Sequence, residues 1–197
     1  MLQIQDFIAT CPSSALAAWA TRPPFDLTSS SAAVVRELLS VLSPLEYLFT
    51  GEVAIHRTAA IEPGATLKGP LIVGAECFVA SGSYIRGGCW LAEQCTVGPG
   101  VELKSSFVFA QTTLAHFNFV GDSIVGANVN LEAGAIVCNF RNERPAAERR
   151  AKFGALIGDG SRIGANAVLA PGTILPSHTV VARLALIDHE LSPSAGV

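Results

Sequence analysis

The sequence predicts an all-β fold: a parallel β-helix of hexapeptide repeats, preceded by a short helical cap and interrupted by one long loop. Three observations predict it. First, every sixth residue from Ile55 is aliphatic, Phe or Ala: Ile55, Ile61, Leu67, Val73, Val79, Ile85, Leu91, Val97, Leu103, Phe109 and Ala115. Two further ladders run Phe119, Val125, Leu131, Val137 and Ile157, Ile163, Leu169, Leu175, Val181. A period of six is too long for a strand and wrong for a helix, so each hexad makes one side of a coil. Second, corner-forming pairs follow the ladder at a fixed offset: Pro63-Gly64, Gly69-Pro70, Gly87-Gly88 and Pro99-Gly100. Third, small or β-branched residues precede it by two places, among them Ala59, Ala65, Cys77, Ser83, Cys89 and Cys95, which lets narrow coils close without a wide core. A β-sandwich would space its turns longer and less evenly.

Residues 1–50 lack the period and are expected to form the helical cap. Within them, residues 28–31 offer N-caps for an amphipathic helix through Ala32, Val35, Leu38, Leu39 and Leu42, stopped near Pro44. A shorter helix is expected at 3–8, on the far side of Pro23-Pro24. The expected role of this segment is to cover the open first coil, whose strand edges are otherwise unpaired. Residues 51–186 are the β-helix, residues 139–152 leave it as a loop at a corner, and 187–197 form a tail.

Composition narrows the function classes. Among 197 residues, half are hydrophobic and the net charge is -3, which gives no reason to expect nucleic acid as a partner. No apolar run approaches about 18 residues, so no membrane span is expected. Asp6 stands where a signal peptide carries basic residues, so the expected location is cytoplasmic. Three of the five cysteines fall in the small-residue column, and Cys77 and Cys95 are 18 apart, hence neighbours on one face. With no CxxC pair and four histidines that form no ligand cluster, reduced buried thiols and no metal are expected.

The coil register also sorts the polar residues. Lys68, Arg86 and Lys104 recur at 18 and are expected to stack on one face. Stacked like charges cost free energy unless an anion or a carboxylate lies between them, so the row suits a phosphate; a solvated row is the plain alternative. His116 is expected beside a furrow of small residues, over Gly98 and Ala80. The loop carries Arg141, Arg144, Arg149, Arg150 and Lys152, either solvated or facing phosphates. Ile72, Trp90 and Val108 on one face, with Phe78 and Leu114 on the next, are expected as exposed apolar rows, which points to a threefold assembly.

The run LAHFNFVGDSIVGANVNLEAGAIVCNF (114–140), preceded by VELK (101–104), carries a family resemblance. It resembles the acetyltransferase domain of the bifunctional N-acetylglucosamine-1-phosphate uridyltransferase/glucosamine-1-phosphate acetyltransferase. The resemblance spans roughly residues 51–186. It implies a left-handed β-helix, a homotrimer, acetyl-CoA as cosubstrate and an amino sugar as acceptor. By the same resemblance His116 is the catalytic base, with Asn139 and Glu102 beside it. Arg86, Lys104, Asn130 and Lys152 hold the acceptor, Phe119 and Phe140 stand where the family has tyrosines, and Ala133, Ala165 and Arg183 fall to the cofactor.

Departures from the family are equally readable. No uridyltransferase domain is expected, Glu132 replaces a glycine in the VNxGAG run, and Ala165 replaces a serine. Two functions are therefore carried forward: a coenzyme A-dependent acyltransferase acting on an amino sugar, expected as its phosphate, and a non-catalytic hexapeptide scaffold beside sugar-nucleotide metabolism. A β-helical carbonic anhydrase needs three zinc-binding histidines that the sequence does not supply.

Overall fold

The computed structural model describes residues 2–145 and 152–189. The chain winds into a three-sided, left-handed parallel β-helix. Sheet I has eight strands, from Tyr47–Thr50 and Val53–His56 through Cys89–Leu91 and Ile124–Val125 to Thr173–Leu175. Sheets II and III have seven strands each. Sheet II includes Thr113–Leu114 and Asn130–Leu131, and sheet III includes Tyr84–Arg86, Glu102–Lys104 and Phe119–Gly121. Two-residue strands suffice because each pairs with the coils above and below, and the ladder side chain of each turns into a shared core. Val73, Ile85, Leu91, Leu103 and Leu131 are fully buried there, each contributing about 1.5–3 kcal/mol relative to exposure.

The register corrects the ladder after Leu103. Leu91 pairs with Val108 and Val108 with Val125, so Val108, not Phe109, points inward. Leu114, not Ala115, and Val120, not Phe119, take the next inward positions. The phase slips are thus two five-residue steps, Leu103 to Val108 and Val120 to Val125, both at the corner from sheet III to sheet I. The loop after Val137 leaves at the same corner. The misreading was physical: Phe109 and Phe119 are apolar and occupy sixth places, but they face outward.

The outward apolar row on sheet I is not exposed. Ile72, Trp90, Phe107, Ile124 and Leu156 are buried in a second core with Ile4, Ile8, Leu16, Leu27 and Val35 from residues 2–46. That segment therefore lies along the outer face of sheet I, and Val108 and Leu114 belong to the first core. Tyr47–Thr50 closes the open edge of sheet I, pairing antiparallel with Val53–His56. Hydrogen bonds tie the segment to the coils at two points: Asp159 N–H donates to Phe7 O at 3.0 Å, and the Ser31 hydroxyl donates to Gly87 O at 3.2 Å. The expected helix after residue 31 is present as α2, Ser31–Leu39, preceded by α1, Pro24–Ser29. The expected Ser30 cap makes no side-chain bond, and the first helix is a single 3-10 turn, Ile4–Asp6.

All five cysteines are free thiols, and Cys77 and Cys95 are neighbours across coils. Burial pushes the Cys89 thiol up to about 12 and Cys11 to about 11. Among the described residues no helix is long and apolar enough to cross a membrane, and no group of His, Cys, Asp or Glu gathers as a metal site.

Candidate active site

Two corners of the β-helix flank sheet III, and the expected site residues divide between them. At the corner from sheet III to sheet I, the basic row stacks as read: Arg86 pairs with Lys104, and the next partner in line is Gly121. Carboxylates are interleaved with it. Glu102 Oε1 accepts Arg86 Nη2 at 2.6 Å and Nε at 2.9 Å. Asp122 accepts Lys104 Nζ at 2.8 and 2.9 Å, and it also accepts the Asn139 side-chain amide. Lys68 donates to the Tyr84 hydroxyl at 2.8 Å, and both Lys68 and Arg86 lie over the Tyr84 ring. Arg86 and Lys104 are therefore each paired with a carboxylate, the other branch of the choice that stacking like charges imposes, and Lys68 is met by a hydroxyl.

Gly121 makes this convergence possible. A Cβ there would meet Asn139 Nδ2 at 2.5 Å, so a side chain at 121 would push the amide off Asp122. A cleft of 550 Å³ opens beside the network, lined by Asp122, Ser105, Gly87 and Lys152 from the coils and by Arg36 and residues 28–33 from the N-terminal segment. Lys152 Nζ stands 5.7 Å from the Phe140 ring. Arg141 turns away, its guanidinium bound to Asp188 at 2.6 Å and to Glu143 at 3.2 Å. Arg149 and Arg150 lie outside the described residues.

The corner from sheet II to sheet III carries the other group. His116, Ala133, Ala165 and Arg183 form one vertical column, locked coil to coil by backbone bonds. Gly134 N–H donates to His116 O at 2.8 Å, Asn166 N–H to Ala133 O at 3.0 Å, and Leu184 N–H to Ala165 O at 2.9 Å. Asn118 strengthens the first step, its amide donating to Glu132 O and Ala135 O. His116 is exposed, and its ring makes no hydrogen bond among the described residues. It stands level with Pro99, because Gly98 lies under Ala115 and not under the histidine.

Phe117, next to His116, is 72% exposed with φ 51°. In the stacked corners below and above it, this left-handed position is held by Gly100 and Gly134. A bulky residue there stores backbone strain of about 1–3 kcal/mol, a feature that clusters at functional sites. Above it, Glu132 bonds to Arg183 at 2.7 Å, which holds the Glu132 carboxyl below its ordinary 4.5, with the Ala165 N–H lowering it further.

Phe119 sits on the outer face of sheet III between the two corners, paired with Glu102 and Ile136. Asn130 lies on the outer face of sheet II, paired with Thr113 and Arg162, away from the Lys104 network. Sequence reasoning missed Asp122 as the hub of that network, although its place 18 after Lys104 was a signal. It also missed the wall of the cleft supplied by residues 28–36, for which the sequence offers no signal.

Known proteins resemble this chain along the same coils. The family described as GMPPB C-terminal domain matches residues 68–188. The bifunctional protein GlmU of Picosynechococcus is 34% identical over 137 residues, covering 67% of this chain and 29% of its own. That of Methanococcus maripaludis is 30% identical over 187 residues, covering 88% of this chain and 45% of its own. The chain thus spans less than half the length of these curated relatives.

Proposed function

We propose, from the premise that this chain belongs to the GMPPB C-terminal domain family and is similar to GlmU proteins along most of its coils, that it is a coenzyme A-dependent N-acyltransferase acting on an amino sugar. The observation that carries the reading is the register-locked column of His116, Ala133, Ala165 and Arg183. It aligns an exposed imidazole with a floor of methyl side chains and a cation farther along the same corner. The residues present suit acetyl-CoA as cosubstrate: Ala133 and Ala165 leave room along the corner, and Arg183 supplies positive charge for a phosphate.

His116 would take the proton from the acceptor amine as its nitrogen attacks the thioester carbonyl. The N–C bond forms, the C–S bond breaks, and the thiolate leaves and is protonated. Backbone N–H groups at the corner would meet the negative charge that develops on the carbonyl oxygen. No covalent acyl-enzyme is required. The acceptor, in this reading a sugar phosphate such as glucosamine 1-phosphate, would lie toward Arg86, Lys104 and Lys152.

A homotrimer, in a soluble cytoplasmic setting, completes the proposal. His116 and Asp122 stand at opposite ends of one side of a coil, six residues apart in sequence and at most roughly 20 Å in space. One copy thus presents its imidazole corner and its Lys104 corner on separate edges. A threefold ring of copies brings the imidazole corner of each to the basic corner of the next.

The test follows free thiol release from acetyl-CoA with a panel of amino sugars and amino-sugar phosphates. Turnover is expected with at least one acceptor and near-abolition by His116→Ala. Mixed one to one, His116→Ala and Lys104→Met copies are expected to recover about a quarter of the sites when each site draws on two copies. Activity untouched by His116→Ala removes the base from the mechanism. No turnover and no coenzyme A binding would favour a scaffold.

A further inference from the structure

Glu132 joins the column that this reading assigns to the acyl donor. Its Oε2 accepts the Ala165 N–H at 2.8 Å and Arg183 Nε at 2.7 Å, while Oε1 accepts Arg183 Nη2 at 2.7 Å. The carboxylate therefore reaches across one coil and is met by a guanidinium from the coil beyond. Between His116 and Arg183 the column itself is short: Ala133 and Ala165 present only methyl groups. The backbone carbonyls of the column are already committed to coil-to-coil bonds, Ala133 O to Asn166 and Ala165 O to Leu184. Two of the donors along this line, the Ala165 N–H and the Arg183 guanidinium, are held by Glu132.

We propose that Glu132 is a latch on the acyl-donor groove, a carboxylate that fills the places of the ligand's own oxygen acceptors and is displaced when the donor binds. The inference rests on the acyl-donor reading above. Displacement is feasible because the Arg183 and Glu132 side chains are 72% and 34% exposed, and ion pairs open to water hold weakly. Once released, the planar fork of Arg183 is free to receive a phosphate. A donor that carries phosphates takes over both partners of Glu132, whereas one without them takes over only the Ala165 N–H. Glu132 and Arg183 together thus set how strongly the protein prefers a phosphorylated donor.

The test measures binding of free coenzyme A and of pantetheine, which lacks the nucleotide phosphates, by calorimetry on the whole chain. Removing the competing carboxylate in Glu132→Ala is expected to tighten coenzyme A by about tenfold. Glu132→Gln, which keeps an acceptor for Ala165 without the charge, is expected to fall between. Arg183→Ala is expected to erase the preference for coenzyme A over pantetheine. Thermal melts verify that each variant is folded, which these exposed positions favour. Coenzyme A binding to wild type that Glu132→Ala leaves equal or weaker overturns the latch alone. Absence of binding to both proteins overturns the acyl-donor reading and the latch with it.

Discussion

Asp122→Asn isolates the charge at the hub of the Lys104 network. The residue has φ 49°, a conformation Asn tolerates as well as Asp, so the substitution adds no backbone strain. It keeps the side chain's size, removes the charge that Lys104 Nζ contacts at 2.8 and 2.9 Å and turns one of the two accepting oxygens into a donor. The two side chains are 18% and 11% exposed, between the surface pairs worth about 0–1 kcal/mol and the buried pairs whose breaking costs about 3–5 kcal/mol. A loss of about 2 kcal/mol is expected. For a chain of this length that lowers the melting temperature by about 4–8 °C. Scanning calorimetry and urea midpoints measure it, and Lys104→Met completes the cycle. Either single variant leaves one charge unpaired in a crowded corner, while the double variant leaves none. Coupling of about 1.5 kcal/mol or more is therefore expected. A melting shift under about 1 °C for Asp122→Asn, or additive single effects, would refute the network as a source of stability.

Two further outcomes follow from the coils and their charges. Gly98→Ala would place a Cβ 1.6 Å from Ala115 O, forcing two coils apart at the level of His116; a loss of about 3 kcal/mol or more is expected in urea melts, and near-wild-type stability would contradict the stacking. The Glu52 carboxyl is held below its ordinary 4.5 by its bond to Arg36, and a depressed carboxylate gives stability that is present above its unfolded value and lost as pH falls through the folded one. Melting temperatures should therefore decline below the ordinary 4.5, less steeply in Arg36→Met than in wild type; identical acid slopes would remove the pair from the account.

What the sequence made legible and what it hid have different physical origins. Period six reads inward-facing side chains because every coil buries one per side, so sheet identity and the stacking of Arg86 on Lys104 follow from counting. Counting fails where a corner loses a residue. The steps Leu103 to Val108 and Val120 to Val125 are five residues long, and Phe109 and Phe119 disguised them by being apolar on the outer face. The apolar row on sheet I was visible, but a row does not say what covers it. Residues 2–46 have no period to reveal that their apolar side chains, Ile4 to Val35, lie on that row. The column of His116 with Ala133, Ala165 and Arg183 was readable only through the resemblance, since the intervals between them are unequal.

The short steps and the candidate chemistry meet at one corner for a structural reason. A regular corner of six residues repeats the same outward position on every coil, which for a basic row means charge upon charge. Shortening the coil by one residue sets Gly121 above Lys104 and moves Asp122, 18 places on, into the left-handed corner position. The space over Gly121 then admits Lys104 from below and Asn139 from above, both onto one carboxylate. The same break also lets the loop after Val137 leave beside the cleft, where Lys152 returns. Irregularity here lets Lys104 and Asn139 share one carboxylate next to open volume. A phosphate entering that cleft would meet Lys104 already oriented by Asp122, so the stability that Asp122→Asn removes is the hold such an anion would have to share.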